Sequence, residues 1–498
     1  MEKHISLFFI CQSNISSCKN PLINLQKISL NLENYILLTM KKLLTAVLLL
    51  TTTFYCSAQT KTDLSTLQQR FVDLKFGMFI HFNMPTYWDA DWPDPEASPA
   101  MFNPKKLNAD QWAKAAKSAN MTYGCLTTKH HSGFCIWDTK TTDYNVMNSP
   151  LKRDVVKEYV DAFRKNGLKV MLYYSILDTH HKLRPNSITP KHFEMVKAQL
   201  TELLTKYGKI EALIIDGWDA PWSRISYDDI PFEDVYRLIK SLQPDCVVMD
   251  LNGAKYPAEG LFYSDIKTYE MGAGQRLDKG NNIMPSLACL PLQSSWFWKT
   301  NFPTTAVKDP AKMVNELTTL NNAGCNYILN VAPNRDGLFD DNAIAALKEI
   351  GKQWKGNAAA PKLAPTGEPI ISTNLAKRKP TNSSWSDDMN IMDFANDDDF
   401  TTSWTSNSTV KTPWWEVDLG RDTEFNAVGL TEPKSNISNY HIEYLQNGVW
   451  KPLATGDIAK RVKVHRFNTV WGNKVRVTID KAESQPSIAE FGIYNEKK

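Results

Sequence analysis

Two carboxylates and a group of imidazoles in this chain fall where sheet-based enzymes do their chemistry. Asp216 closes an apolar run, Ala212-Leu213-Ile214-Ile215, and is followed by Gly217. A carboxylate that ends such a run sits at the rim of a buried sheet; the plainer reading is a turn or helix cap. Glu270 ends a second strand-like run, Asp265-Ile266-Lys267-Thr268-Tyr269. Together they offer the carboxylate pair of retaining glycoside hydrolysis. One attacks the anomeric carbon, the other protonates the leaving oxygen and later activates water, with the two carboxyls about 5–5.5 Å apart. Glu259, in the preceding loop, is the rival acid/base; Glu270 is preferred because it ends a strand. His81, His130, His131 and Tyr173 also fall at strand ends, and neutral imidazoles hydrogen-bond sugar hydroxyls. Reading His81, His130, His131 and Asp216 as zinc ligands is weaker, because adjacent histidines lack a regular ligand spacing. Lys129 either keeps Asp216 ionised or pairs with another carboxylate.

The elements that must hold these groups alternate. Apolar strands are expected at 76–82, 123–130, 169–176, 211–217, 246–252, 261–270, 286–292 and 327–333. Helices are expected at 109–119, 154–166, 192–207, 232–242 and 310–323. Asp154 and Asp340 stand near helix starts, where a carboxylate caps free N–H groups, and Gly167 and Gly324 follow helices. Eight strands in alternation predict an α/β domain, a TIM-like (β/α)8 barrel, over residues 59–356. Its function then sits at the C-terminal strand ends. The stretches directly after the fifth, sixth and seventh strands lack obvious full helices, so the barrel is expected to be irregular there. Residues 357–369, rich in Ala, Pro and Gly, read as a linker. From 370 to 498 short alternating strands predict an all-β sandwich.

Composition adds little. The chain has 498 residues, too many for one core, and a net charge of +3, which gives no reason to expect nucleic acid as a partner. Met40-Lys41-Lys42, an apolar run over 43–55 and Cys56-Ser57-Ala58 read as a signal peptide. Met40 is then the true start, residues 1–39 an over-long start, and cleavage after Ala58 yields a secreted or periplasmic protein. The run is too short to be a membrane span. Lipidation at Cys56 is disfavoured by the bulky Thr53-Phe54-Tyr55 before it. Cys125, Cys135, Cys246, Cys289 and Cys325 have neither disulfide nor zinc spacing and read as small buried hydrophobes.

Several tracts then carry a resemblance. Phe76-Gly77-Met78-Phe79-Ile80-His81, Lys129-His130-His131-Ser132-Gly133-Phe134-Cys135-Ile136-Trp137, Tyr173-Tyr174-Ser175 and Ile215-Asp216-Gly217 resemble glycoside hydrolase family 29, the α-L-fucosidases. The resemblance covers about residues 64–354. It implies a retaining mechanism with Asp216 as nucleophile and no catalytic cofactor. It also implies that His81, His130, His131 and Tyr173, with Trp137, hold the sugar, and that Trp296 or Trp298 forms an aromatic wall near its methyl. Ser132 stands where the family usually has Asp, and Ile214 where it often has Trp.

In the second domain, Phe394-Ala395-Asn396-Asp397-Asp398-Asp399, Trp414-Trp415-Glu416-Val417-Asp418-Leu419-Gly420 and Ser487-Ile488-Ala489-Glu490-Phe491 resemble the discoidin or coagulation-factor C-type module, which includes family 32 carbohydrate-binding modules. That resemblance implies a jelly-roll sandwich with a structural calcium, for which Asp397 and Asp399 are the candidate ligands; the alternative is a solvated acidic turn. Whether the module binds sugar or only packs on the barrel stays open. The combined expectation is an exo-α-L-fucosidase acting on fucosylated oligosaccharides or glycoconjugates. The alternatives are a glycosidase with galactose-like specificity and a non-catalytic carbohydrate-binding protein.

Overall fold

The computed structural model describes residues 62–356 and 360–497, together with Met40. The expected start, signal peptide and cleavage site lie otherwise outside the described residues. Eight parallel strands form the first sheet: β1 (Phe76–Ile80), β2 (Tyr123–Lys129), β3 (Lys169–Ser175), β4 (Ala212–Asp216), β5 (Val247–Asp250), β6 (Lys267–Glu270), β7 (Ser286–Pro291) and β8 (Cys325–Asn330). Their order, β5-β4-β3-β2-β1-β8-β7-β6, is that of a barrel whose closing ladder, between β5 and β6, is missing. These runs are apolar because nearly all their residues are buried, as expected of parallel strands covered on both faces.

Side chains alternate between two cores. Phe79, Cys125, Met171, Ile214, Met249 and Cys289 fill the barrel interior, and Leu67 and Phe71 from helix α1 (Leu64–Val72) join them. The outer core lies between the strands and the helices: α2 (Pro85–Trp88), α3 (Ala109–Ser118), α4 (Val155–Lys165), α5 (Pro190–Lys206), α6 (Phe232–Leu242), α7 (Pro310–Asn322) and α8 (Asp341–Gln353). Helix α4 exemplifies the pattern. Asp154 caps it by accepting the Lys157 N–H at 2.8 Å, and Val155, Val156, Tyr159, Val160 and Phe163 recur on its buried face. Asp340 also precedes a helix, but its carboxylate caps nothing there. The five cysteines are all buried and free.

The expected irregularity falls after β5 and β6, where each strand leads only into a single 3-10 turn, at Gly253–Lys255 and Met271–Ala273. After β7 a long loop reaches α7, so that connection does contain a full helix. The expected linker is not free. Within its described part the Leu363 N–H donates to the Gln69 side chain of α1, and Thr366 pairs with Gln68.

Strands β9 (Thr381–Ser383), β10 (Trp404–Thr405), β11 (Trp414–Thr431), β12 (Ile437–Gln446), β13 (Val449–Gly456), β14 (Val462–Ala482), β15 (Ser487–Ile488) and β16 (Glu490–Tyr494) make the second domain. An antiparallel sheet of order β13-β12-β14-β11-β16, with β9 on β11, faces the small β10-β15 pair over a core of Trp404, Trp415, Phe425 and Phe491. Among the described residues no helix is long and apolar enough to cross a membrane.

Candidate active site

At the C-terminal end of the barrel, a cavity of about 230 Å3 is lined by His81, His130, His131, Tyr173, Asp216, Glu270 and Trp296, with Phe79, Asp91, Trp92, Trp222, Leu251, Cys289 and Phe297. It is smaller than the ~300–1,000 Å3 usual for drug-sized ligands, and suits one sugar ring. Seven of the nine residues expected to act on or hold a sugar therefore converge. Trp137 and Trp298 do not. Trp137 is fully buried with its indole N–H on Glu202, 2.9 Å away. Trp298 donates to Asp340 at 2.7 Å. Both are held by those bonds outside the lining; Phe297, between the two tryptophans of that loop, reaches the cavity beside Trp296.

Asp216 ends β4 and is 5 % exposed. The Tyr173 hydroxyl donates to its Oδ2 at 2.6 Å and the Asn252 amide to its Oδ1 at 2.9 Å. Each carboxylate oxygen thus has one donor, which fixes the plane of the group. Asn252, just past β5, is a partner of Asp216 that sequence reasoning missed, although the strand-end rule applied to it. Lys129 does not serve Asp216. It is buried against Tyr174 Oη at 3.1 Å and Asp178 at 3.3 Å, and so braces the tract that follows it. Gly133 in that tract has φ +86°, and a Cβ there would strike the Asp178 carboxylate.

Glu270 faces Asp216 across the cavity. Burial, then the charge of Asp216, pushes its carboxyl up to about 7, against a hydrogen bond from Trp296 that lowers it. Glu259, the rival, lies outside the cavity and pairs with Arg461 of the second domain at 3.2 Å.

Burial lowers the imidazoles, His81 to about 3, His131 to about 4 and His130 well below the usual range, so all three are neutral at neutral pH. Their tautomers follow from their neighbours. Asn330 turns its N–H2 to the Trp296 carbonyl, so its oxygen accepts from His81 Nδ1 at 2.7 Å. The Ser175 hydroxyl donates to the Leu177 carbonyl, so it accepts from His131 Nδ1 at 2.8 Å. Both rings then present a bare Nε2 as an acceptor for a hydroxyl proton. His131 Nε2 stands 3.7 Å from Asp216 Oδ2, beyond hydrogen-bond reach. His130 Nδ1 has no hydrogen-bond partner among the described residues.

Among the described residues the lining holds three carboxyl groups and no Lys or Arg. It therefore disfavours an anionic sugar and favours positive charge on a reacting ring. Phe79, Leu251, Cys289, Trp296 and Phe297 give the lining its apolar surface. At the mouth, Trp92 and Trp222 are about half exposed, packed on His131 with ring centroids 4.9 and 4.2 Å away. Sequence reasoning missed both, and the only signal was the aromatic content of their loops.

The acidic turn of the second domain uses its carboxylates to hold its own backbone and hydroxyls. Asp397 accepts from the Asp399 N–H and the Thr402 hydroxyl, and Asp399 accepts from the Thr401 N–H and hydroxyl. Buried Glu490 nearby is pushed well above the carboxylate range by burial and then by Asp398, so it holds its proton and adds no charge to the turn. Among the described residues no three His, Cys, Asp or Glu converge as a metal site. Calcium takes 6–8 oxygens, so an ion at this turn would need backbone carbonyls beside the Asp397 and Asp399 carboxylates.

A family model described as Alpha-L-fucosidase matches residues 86–359, and one described as F5/8 type C domain matches residues 378–491. Alpha-L-fucosidase 1 of Arabidopsis thaliana is 28% identical over 456 residues, covering 84% of this chain and 85% of that protein. The human tissue alpha-L-fucosidase is 26% identical over 334 residues, covering 58% of this chain and 68% of that one. A solved glycoside hydrolase 29 family member from an unknown rumen bacterium aligns with TM-score 0.49 and 23% identity, over 87% of this chain and 77% of that one.

Proposed function

Because the chain belongs to the alpha-L-fucosidase family of glycoside hydrolases, we propose that it removes terminal α-L-fucose from glycans by a retaining double displacement. One observation carries the reading: a buried carboxylate held by two donors shares a one-ring cavity with a second carboxyl raised to about 7. In the first step an Asp216 oxygen forms a bond to the anomeric carbon. The glycosidic bond breaks, and its oxygen takes the proton of Glu270. In the second step Glu270 accepts a proton from water, whose oxygen displaces Asp216. Neutral His81, His130 and His131 meet the ring hydroxyls. The apolar surface meets the sugar methyl, where a galactose hydroxyl would lose its water without finding a partner.

The experiment is hydrolysis of 4-nitrophenyl α-L-fucoside, followed by NMR of the first sugar released. The expected product is the α-anomer, with the α-L-galactoside, which differs by one hydroxyl, turned over at least about 10-fold more slowly, the cost of one unpaired hydroxyl. A first-formed β-anomer overturns retention, and preference for galactoside overturns the sugar assignment.

Trp92 and Trp222, at the mouth, offer the aromatic surface on which the aglycone sugar would stack. Trp222→Ala is expected to lower kcat/KM on a fucosylated oligosaccharide about 10-fold, and about 2-fold or less on fucosyl fluoride, which has no aglycone ring. Equal loss on both substrates would place Trp222 with the fucose instead.

A further inference from the structure

The seam between β5 and β6 is where the barrel is least self-sufficient, and it lies beside the reacting groups. No ladder joins the two strands there. One backbone hydrogen bond, from the Asp265 N–H to the Val248 carbonyl at 2.8 Å, and several side chains stitch the seam. The Asp265 carboxylate accepts the Val248 N–H at 2.8 Å and the Lys240 ammonium at 2.7 Å, and the Thr268 hydroxyl donates to the Asp250 carbonyl. Lys267, buried on β6, spends its three N–H donors on the carbonyls of Gly253, Tyr256 and Pro257, at 3.0–3.3 Å. This gathers the segment that begins with Asn252, the donor to Asp216.

That segment has no helix to cover it; the second domain does so. Tyr256 and Phe262 stack at 5.1 Å, and Phe400 stands edge-on against both, at 5.5 and 5.7 Å. Arg461 pairs with Glu259, and Val462 packs on Gly260, where a Cβ would lie 2.9 Å from its methyl. Ile370, at the entry to the sandwich, exchanges backbone hydrogen bonds with Leu261 and Tyr263 at 3.0 and 2.7 Å.

We propose that Phe400, with Arg461, is a positioning residue for the catalytic pair: the sandwich closes the open seam of the barrel and, through the segment from Asn252 to Phe262, sets the orientation of Asp216. The second domain is then part of the catalytic unit, whether or not it binds sugar. This rests on the proposed role of Asp216.

A cycle of Phe400→Ala and Asn252→Ala in the full chain tests it, with 4-nitrophenyl α-L-fucoside as substrate. Phe400 is only partly buried, so its truncation leaves the sandwich core intact. Misplacing a reacting group by a fraction of an ångström lowers turnover more than binding. Phe400→Ala is expected to reduce kcat about 10-fold with KM changed less than about 2-fold, and Phe400→Leu to recover most of the loss. In the Asn252→Ala background, Phe400→Ala is expected to cost less than about 2-fold more. The idea fails if Phe400→Ala leaves kcat at the wild-type value, or lowers it by the same factor in both backgrounds. Either outcome with Asp216→Ala inactive rejects only the positioning role. Activity persisting in Asp216→Ala rejects the reading beneath it.

Discussion

Asp216→Ala is expected to lower kcat/KM on 4-nitrophenyl α-L-fucoside by 10^3-fold or more, roughly 4 kcal/mol of transition-state stabilisation, while leaving the fold intact. On the double-displacement reading this carboxylate forms the covalent bond, and no other group in the cavity is held for that task. Asp91 is drawn toward Lys299, 3.1 Å away, and Glu270 carries the proton. The variant strands the Tyr173 hydroxyl and the Asn252 amide, which costs about 1–3 kcal/mol for each unpaired group. It also removes a negative charge that presses on Glu270, which offsets part of that cost. A small anion such as azide, entering from the Asp216 side, should partly restore turnover and give a glycosyl azide of inverted configuration. Residual activity above about one hundredth of wild type, without added anion, would remove Asp216 from the mechanism.

The legibility of this site followed the regularity of its elements. Asp216 could be found because β4 is four apolar residues and then a charge, and side chains at strand ends have nowhere to go but the cavity. The histidines of β1 and β2 were legible for the same reason. Trp137 and Trp298 misled because an indole is as useful in a core as in a sugar site, and only tertiary partners, Glu202 and Asp340, decide which. Trp92 and Trp222 sit on loops whose path no periodicity specifies. Barrel and sandwich were both readable from strand spacing. The missing β5–β6 ladder was foreshadowed by the absent helices, but its closure by Phe400 depends on residues some 140 positions apart in the chain, about which local pattern says nothing.

Glu270→Ala should separate substrates by their leaving groups. A fucoside of a strongly acidic phenol leaves unaided, and its turnover is expected to fall less than about 10-fold; a fucosylated oligosaccharide, which needs the proton, should lose about 10^2–10^4-fold. Glu259→Ala, which removes a partner of Arg461 rather than an acid, should show no such dependence. The wild-type pH profile carries the same information. The protonated carboxyl is the active form, so kcat/KM should fall about 10-fold per pH unit above an apparent pKa of about 7, a value that belongs to the coupled pair. That limb should vanish in Glu270→Ala with the good leaving group. Stability moves with the opposite cost. The folded-state pKa is raised from 4.5 to about 7, so the folded chain binds more protons than the unfolded one in this window. The favourable contribution is complete below pH 4.5 and is lost as pH rises through 7. Glu270→Gln, which cannot ionise, should therefore melt higher than wild type above pH 7, by up to about 3 kcal/mol of stability, and lose that advantage at pH 4.5. Equal losses on both fucosides, with an unchanged alkaline limb, would reassign Glu270 to a structural role.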